Sequence, residues 1–258
     1  MENICRQIEG HLLSLQSLAN DVKDIGYATL CSNRRIPSTT FNQAFSVNVT
    51  DSEADKLVAD VVRHYKSIEV NPCFMVSPAT RPHTFANSLL QAGFKSVLEE
   101  DAMVYRGEGI GFTTGCPDVN VVAVDGSLLD VWTDVSMKGF GSPAVLRDAI
   151  LDMYGKVIQY KGTKPFLGYF QGKPAGVCQL VSFNNVGGIF TMATVPEYRR
   201  KGVATTLLQR AIADSLRIGN NLLYLTTTKG SDAERLYASL GFQVAYTHRR
   251  YQLQLQKQ

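Results

Sequence analysis

The order of strand-like and helix-like segments predicts an α+β chain: a mixed, mostly antiparallel sheet flanked by helices, arranged as two successive halves. Three observations carry that prediction. Residues 164–195 are rich in strand-forming apolar residues and are broken by two turn signals, Gln171-Gly172-Lys173 and Asn184-Asn185, the pattern of a β-meander. Behind them come a long run with helical periodicity, a strand, a short helix and a last strand. The third is an internal echo. Leu89-Leu90-Gln91-Ala92-Gly93-Phe94 aligns with Tyr237-Ala238-Ser239-Leu240-Gly241-Phe242, and a strand-like run follows each.

In chain order, Ile4, Ile8, Leu12, Leu15 and Leu18 share one face of a helix over residues 3–19. Strand-like segments at 27–31 and 41–49 flank a polar stretch containing Pro37. Asp51 or Ser52 is suited to cap a helix running through Leu57, Val58, Val61, Val62 and Tyr65. Residues 73–76, between Pro72 and Pro78, read as a short strand, 84–91 as a helix and 96–105 as a strand. The glycine-rich segment 106–117 reads as a flexible linker, which sets the expected domains at residues 1–112 and 113–258. Beyond it, 119–124 is a strand, and Ser127 or Asp130 opens a helical stretch reaching Phe140. Pro143 opens another helix with Val145, Leu146, Ile150 and Leu151. Strands at 164–170, 174–183 and 187–195 follow, then a helix over 202–218 ended by Gly219 and a strand over 222–227.

Composition narrows the function. The 258 residues are 45% hydrophobic, the composition of an ordinary globule. A net charge of +3, with no basic cluster longer than Arg199-Arg200-Lys201, argues against a nucleic-acid partner. No apolar run approaches the roughly 20 residues of a membrane span, and the first residues lack a basic-then-apolar leader. Five scattered cysteines without a C-x-x-C pair suit reduced thiols and a cytoplasmic location rather than disulfides or zinc. The four histidines have no ligand spacing among them, so no metal is expected and each reads as a structural or surface residue.

The most informative stretch is Met192-Ala193-Thr194-Val195-Pro196-Glu197-Tyr198-Arg199-Arg200-Lys201-Gly202-Val203-Ala204-Thr205. An apolar strand ends at a proline, a basic turn follows, and Gly202 opens a helix. The first-turn N–H groups of a helix have no partner within it, and the helix dipole adds partial positive charge there, so this order makes a site for a diphosphate. Gly202 lets a ligand come close to the backbone, and Ala204 keeps the next turn small. Other phosphate motifs do not fit. A P-loop needs Gly before Gly-Lys at fixed spacing, and Gly107, Gly109 and Gly111 alternate only as far as Phe112 with no apolar strand before them.

The spacing Arg199-x-x-Gly202-x-Ala204 resembles the coenzyme-A-binding signature of the GNAT superfamily of N-acetyltransferases. The segment Ala233-Glu234-Arg235-Leu236-Tyr237-Ala238-Ser239-Leu240-Gly241-Phe242 is similar to a second signature of that superfamily, a helix carrying a tyrosine and ending in Gly-Phe. Two motifs in the family's order cover the chain from Val119 onward. The resemblance implies an acetyltransferase (GNAT) fold with two GNAT-like domains in tandem. The first of these has no basic glycine turn and carries Leu89 where the tyrosine would stand, so it is expected to have lost cofactor binding.

The resemblance also implies roles. Met192, Ala193 and Thr194 would pair through the backbone with the pantetheine arm of acetyl-CoA, and one N–H there would face the thioester oxygen. Arg200, Lys201, Gly202, Val203, Ala204 and Thr205 would wrap the pyrophosphate, while Arg199 anchors the turn. Tyr237 would be the general acid for the departing thiolate, the ordinary phenol near pKa ~10 being matched to a thiol near ~8.5. Where many relatives have an Asn before the tyrosine helix this chain has Gly230, with Ser231 suited to cap that helix. No general base is evident. Glu197 lies in a turn, Thr191 and Thr194 are the only polar side chains on the strand's last half, and Asp232 and Glu234 occupy a helix's first turn, where acids are favoured by the dipole. The implied activity is acetyl transfer from acetyl-CoA to the amine of a small molecule or amino acid. A non-catalytic acyl-CoA sensor or adaptor, and an enzyme acting on protein or peptide amines, are the alternatives; the oligomeric state is open.

Overall fold

The computed structural model describes residues 2–107 and 115–255. The expected domain boundary at 112/113 and the alternating Gly109 and Gly111 lie outside the described residues. The chain divides into two units. The first comprises Met1–Ala102, Thr226–Glu234 and Val244–Gln258, and the second Met103–Leu225 and Arg235–Gln243.

The first unit opens with α1 (Glu2–Gln16), β1 (Asp21–Asp24), β2 (Thr29–Ser32) and β3 (Gln43–Phe45). It continues with α2 (Ala54–Ser67), β4 (Cys73–Val76), α3 (Phe85–Gln91) and most of β5 (Lys95–Tyr105). β1, β2 and β3 form an antiparallel meander, and β3 meets β4 in parallel at Ala44↔Phe74. β11 (Phe242–Gln252) pairs antiparallel with β4, from Arg249↔Val76 to Gln252↔Cys73. The apolar stripe of α2 (Leu57, Val58, Val61, Tyr65) and the buried side of α3 (Phe85, Leu89) pack with Leu30, Ala44, Phe74, Phe94 and Tyr251 into one core. α2 does not begin on Asp51 or Ser52. These residues form a 3-10 turn, and Thr50 and Glu53 close a capping box in front of it. β1 is a strand that periodicity misses, because Asp21-Val22-Lys23-Asp24 has a single apolar residue and is mostly exposed. His248 is a structural histidine. It is 2% exposed and lies 3.2 Å from Glu100, which also takes Arg250 at 3.0 Å. Burial works against the Glu100 charge, but the His248 hydrogen bond and the Arg250 charge outweigh it and hold the carboxyl below its ordinary range.

The second unit holds β6 (Val119–Ala123), α4 (Leu129–Phe140), α5 (Arg147–Ile158), β7 (Thr163–Phe170), β8 (Lys173–Phe183) and β9 (Val186–Thr194). It is completed by α6 (Val203–Ile218), the first part of β10 (Leu222–Thr228) and the last part of α7 (Asp232–Ser239). β6, β7, β8 and β9 are antiparallel neighbours, and β10 joins β9 in parallel. The tight links come from left-handed residues: Gln171 and Gly172 between β7 and β8, Asn184 and Asn185 between β8 and β9. α6 starts at Gly202 and stops at the left-handed Gly219, and its stripe of Val203, Leu207, Leu208, Ala211 and Ile212 is buried. Each such side chain contributes about 1.5–3 kcal/mol of burial. The close seat of α6 depends on two sheet glycines. A Cβ on Gly176 would stand 2.7 Å from Val203 Cγ1, and one on Gly168 would stand 3.2 Å from Leu207 Cδ1. α4 is tied to β7 by Trp132 Nε1–H donating to Phe166 O at 3.0 Å.

Candidate active site

Two breaks in the regularity of β9 build the site. On its β10 side, pairing runs only from Leu222↔Val186 to Tyr224↔Gly188. Beyond Gly188 the β9 edge has no strand partner there among the described residues, and such a strand edge suits an extended ligand. On its β8 side the register jumps from Val177↔Ala193 to Gln179↔Phe190, leaving Thr191 and Met192 opposite Cys178 alone. This is a β-bulge, and Thr191 takes it in the left-handed region at φ 50°. Met192 and Thr194 are half-buried, and Ala193 is buried. Ala193 lies so close beneath α4 that a Cβ on Gly139 would come within 2.7 Å of its own Cβ.

The basic turn follows without a gap. Pro196–Tyr198 is a 3-10 turn, and Arg199 behind it donates from Nε to Thr194 O at 3.2 Å and from Nη2 to Gly139 O at 3.0 Å. Arg199 therefore clamps the end of β9 to α4. Arg200 and Gly202 are left-handed, at φ 62° and 79°. Left-handed residues in a turn can point successive N–H groups into one concavity, which favours an anion. Gly202 is the N-cap of α6 and has no side chain to cap the helix, so the first-turn donors are open to a ligand or to water. Arg200 and Lys201 are exposed, with Lys201 Nζ 5.2 Å from the Phe170 ring centre and 5.5 Å from that of Tyr198. Val203 points into the core, leaving only its backbone to the turn, and Ala204 and Thr205 are half-buried.

Gly202 has a second constraint that periodicity could not reveal. A Cβ there would stand 2.7 Å from Cys116 Cβ. Cys116 is held in place by its N–H, which donates to Thr206 Oγ1 at 3.1 Å, and the Thr206 hydroxyl donates in turn to Gly202 O at 3.0 Å.

Tyr237 is 7% exposed, with its ring edge-on to Phe242. Its hydroxyl makes no hydrogen bond among the described residues. Burial above all, then the neighbouring Cys178, pushes the phenol far above its ordinary value. That moves it away from the simple match to a free thiol. However, Cys178 in the same surroundings has its thiol pushed up to about 12 by burial. Cys178 is also the residue opposite the bulge.

Glu197 and Asp232 are exposed, and Glu234 accepts from the Gly230 N–H. Ser231 caps α7 by accepting the Glu234 N–H at 3.2 Å. Among the described residues no group of side chains is arranged to hold a metal, and no helix is long and apolar enough to cross a membrane. Sequence reasoning missed Gly139 and Cys116. Gly139 in the middle of a helical run was the one visible signal.

An open strand edge, a bulge and an uncapped glycine helix start follow one another in this order on a mixed sheet. Residues 136–242 match the model of the "Acetyltransferase (GNAT) family", and this stretch is a GNAT domain. No curated protein matches the chain. Among solved structures, it is similar to a GCN5-related N-acetyltransferase from Kribbella flavida at 13% identity and TM-score 0.73, covering 95% of this chain and 94% of that one. A GCN5-related N-acetyltransferase from Sphaerobacter thermophilus is similar at 14% identity and TM-score 0.67, covering 88% and 76%. A tandem GNAT protein of the clavulanic acid biosynthesis pathway is similar at 12% identity and TM-score 0.62, covering 82% and 74%. At these identities the likeness is one of fold.

Proposed function

We propose that the chain is an acetyl-CoA-dependent N-acetyltransferase acting on the amine of a small molecule or amino acid. The carrying observation is the β9 edge that loses its strand partner after Gly188 and runs directly into the uncapped, glycine-started helix α6. An extended pantetheine arm suits the backbone of Met192, Ala193 and Thr194. A pyrophosphate suits the N–H groups of Arg200 to Thr205, with the Arg200 and Lys201 charges beside it. The amine nitrogen attacks the thioester carbon, the C–S bond breaks, and Tyr237 gives its proton to the leaving sulfur. A bulge N–H steadies the oxyanion. The substrate ammonium first loses a proton to water, since no carboxylate stands on β9, so that the neutral amine attacks; the second proton leaves the nitrogen for water as the intermediate collapses, and Tyr237 takes a proton back from solvent.

The first unit suits a role without cofactor. Its helix α2, which follows β3 as α6 follows β9, begins in the Thr50–Glu53 capping box, with Asp51 and Glu53 in the first turn. The Thr50 N–H donates to the Glu53 carboxylate and the Glu53 N–H to Thr50 O, and the local negative charge repels a diphosphate. We assign cofactor binding to 113–258 and a degenerate GNAT-like role to 1–112. The free cysteines suit a reducing compartment such as the cytoplasm.

The test is calorimetric titration with acetyl-CoA, then free-thiol release over a mixed panel of amines. Binding followed by amine-dependent thiol release is the expected result. Binding with no release on any amine would move the chain to a non-catalytic acyl-CoA sensor, the reading that the missing base favours. No binding would remove both.

A further inference from the structure

Arg200 is a residue with a side chain held left-handed, at φ 62°, in the turn between β9 and α6. Such a conformation persists only where its surroundings over-determine it. Before Arg200, the Arg199 side chain ties the turn to Thr194 O and Gly139 O. After it, Gly202 is fixed through Thr206. The Thr206 hydroxyl donates to Gly202 O at 3.0 Å, the same oxygen that takes the Thr206 N–H. That hydroxyl also accepts the Cys116 N–H at 3.1 Å, drawing the segment that leads into β6 onto the first turn of α6. The approach is close at both ends. A Cβ on Gly115 would stand 2.7 Å from Thr206 Cγ2, and one on Gly202 would stand 2.7 Å from Cys116 Cβ. Two glycines thus clear the space in which Gly115-Cys116 lies against the helix start, and one hydroxyl fastens it.

We propose that Thr206 is a positioning residue for the cofactor. Its hydroxyl straps Gly115-Cys116 across the start of α6 and holds residues 199–203 in their anion-binding shape before the diphosphate arrives. The proposal rests on the acetyltransferase reading for the identity of that anion. The helix has no need of this hydroxyl, because the Thr206 N–H already makes the helical bond to Gly202 O. The anion site does need it. A peptide unit is planar, so an oxygen fixed at Gly202 by two donors also fixes the direction of the Val203 N–H, a first-turn donor of that site. A turn that must be ordered on binding weakens affinity by the cost of ordering it, and the bound state is then the same. Loss of the strap therefore costs binding rather than turnover.

The experiment compares Thr206→Val, which keeps the shape and loses the hydroxyl, with Thr206→Ser, which keeps the hydroxyl. Gly115→Ala is the third variant, since it leaves Thr206 intact and pushes the strap away. Thr206→Val and Gly115→Ala should each weaken acetyl-CoA binding about 3- to 10-fold, with kcat at saturating acetyl-CoA within about twofold. Thr206→Ser should bind within about twofold of the wild type, since both hydrogen bonds remain. The double variant of Thr206→Val and Gly115→Ala should lose little more than either alone, because both undo one contact. Thiol labelling of the folded protein is the readout independent of chemistry. Cys116 is half-exposed and the other cysteines are buried, so a disulfide reagent reports on the strap. Thr206→Val should label faster than the wild type and Thr206→Ser should not. Unchanged affinity in Thr206→Val, an equal loss in Thr206→Ser, a fall in kcat without a fall in affinity, or unchanged labelling overturns the proposal. A wild-type protein that does not bind acetyl-CoA overturns the proposed function instead, and the labelling comparison then still decides whether the hydroxyl holds the strap.

Discussion

Replacing Tyr237 by Phe removes one hydroxyl and leaves a ring that is 7% exposed and packed on Phe242. The structure separates its effects on stability and on turnover. The hydroxyl makes no hydrogen bond among the described residues, and it is not among the side-chain atoms sealed from solvent without a partner, so water can satisfy it. Tyr237→Phe is therefore expected to leave stability within about 1 kcal/mol, a Tm change of no more than roughly 2–4 °C for a domain of this size. Turnover should move, with kcat falling by roughly 10- to 10⁴-fold for a lost general acid and acetyl-CoA affinity unchanged. The raised phenol fixes the pH behaviour too. Tyr237 keeps its proton beyond the ordinary phenol value, so wild-type kcat should show no alkaline fall due to this residue below about pH 10. The loss should shrink for acyl donors with a more acidic thiol, which need the proton less. The assays are thermal melts, titration with acetyl-CoA and free-thiol release at saturating amine. Equal kcat in the two proteins would refute the acid role. A Tm lowered by more than that would refute the claim that the hydroxyl has no protein partner.

Gly202→Ala should lower stability by about 1–3 kcal/mol even without ligand, since it adds a Cβ at φ 79° and 2.7 Å from Cys116 Cβ. Cys116→Gly in that background should restore part of the loss in urea melts, and no restoration would mean strain alone is responsible. Arg200→Ala and Lys201→Ala should each weaken acetyl-CoA binding about 3- to 10-fold at low salt, with the difference fading toward 1 M salt, because both charges are exposed. A salt-independent loss on titration would contradict a charge role. Cys31, Cys73 and Cys178 have thiols pushed up to about 12 by burial. The unfolded chain ionises these groups first, so above about pH 9 it binds fewer protons than the fold, and stability falls as pH rises, by up to about 1.4 kcal/mol per pH unit for each thiol. Urea midpoints between pH 8 and pH 10.5 measure this, and a flat profile would show that the thiols are not desolvated.

The chain's local patterns determined a good deal. The stripe Val203, Leu207, Leu208, Ala211 and Ile212 and the glycines at 202 and 219 specify α6 with its ends, because helical period and left-handed caps are properties of neighbouring residues. The strand, basic turn and glycine start were legible for the same reason, as was the Gly-Phe ending shared by α3 and α7. Tertiary structure alone decided the rest. β1 has one apolar residue in four and exists by pairing with β2. The residues 226–234 and 244–258 group with the first unit because β11 pairs with β4, a partner more than 160 positions away in sequence. The bulge at Thr191, the clamp from Arg199 to Gly139 and the cover of Gly202 by Cys116 all depend on which backbones meet. Periodicity reports the face a side chain turns to, and has no term for a register jump or for a contact made across the sheet.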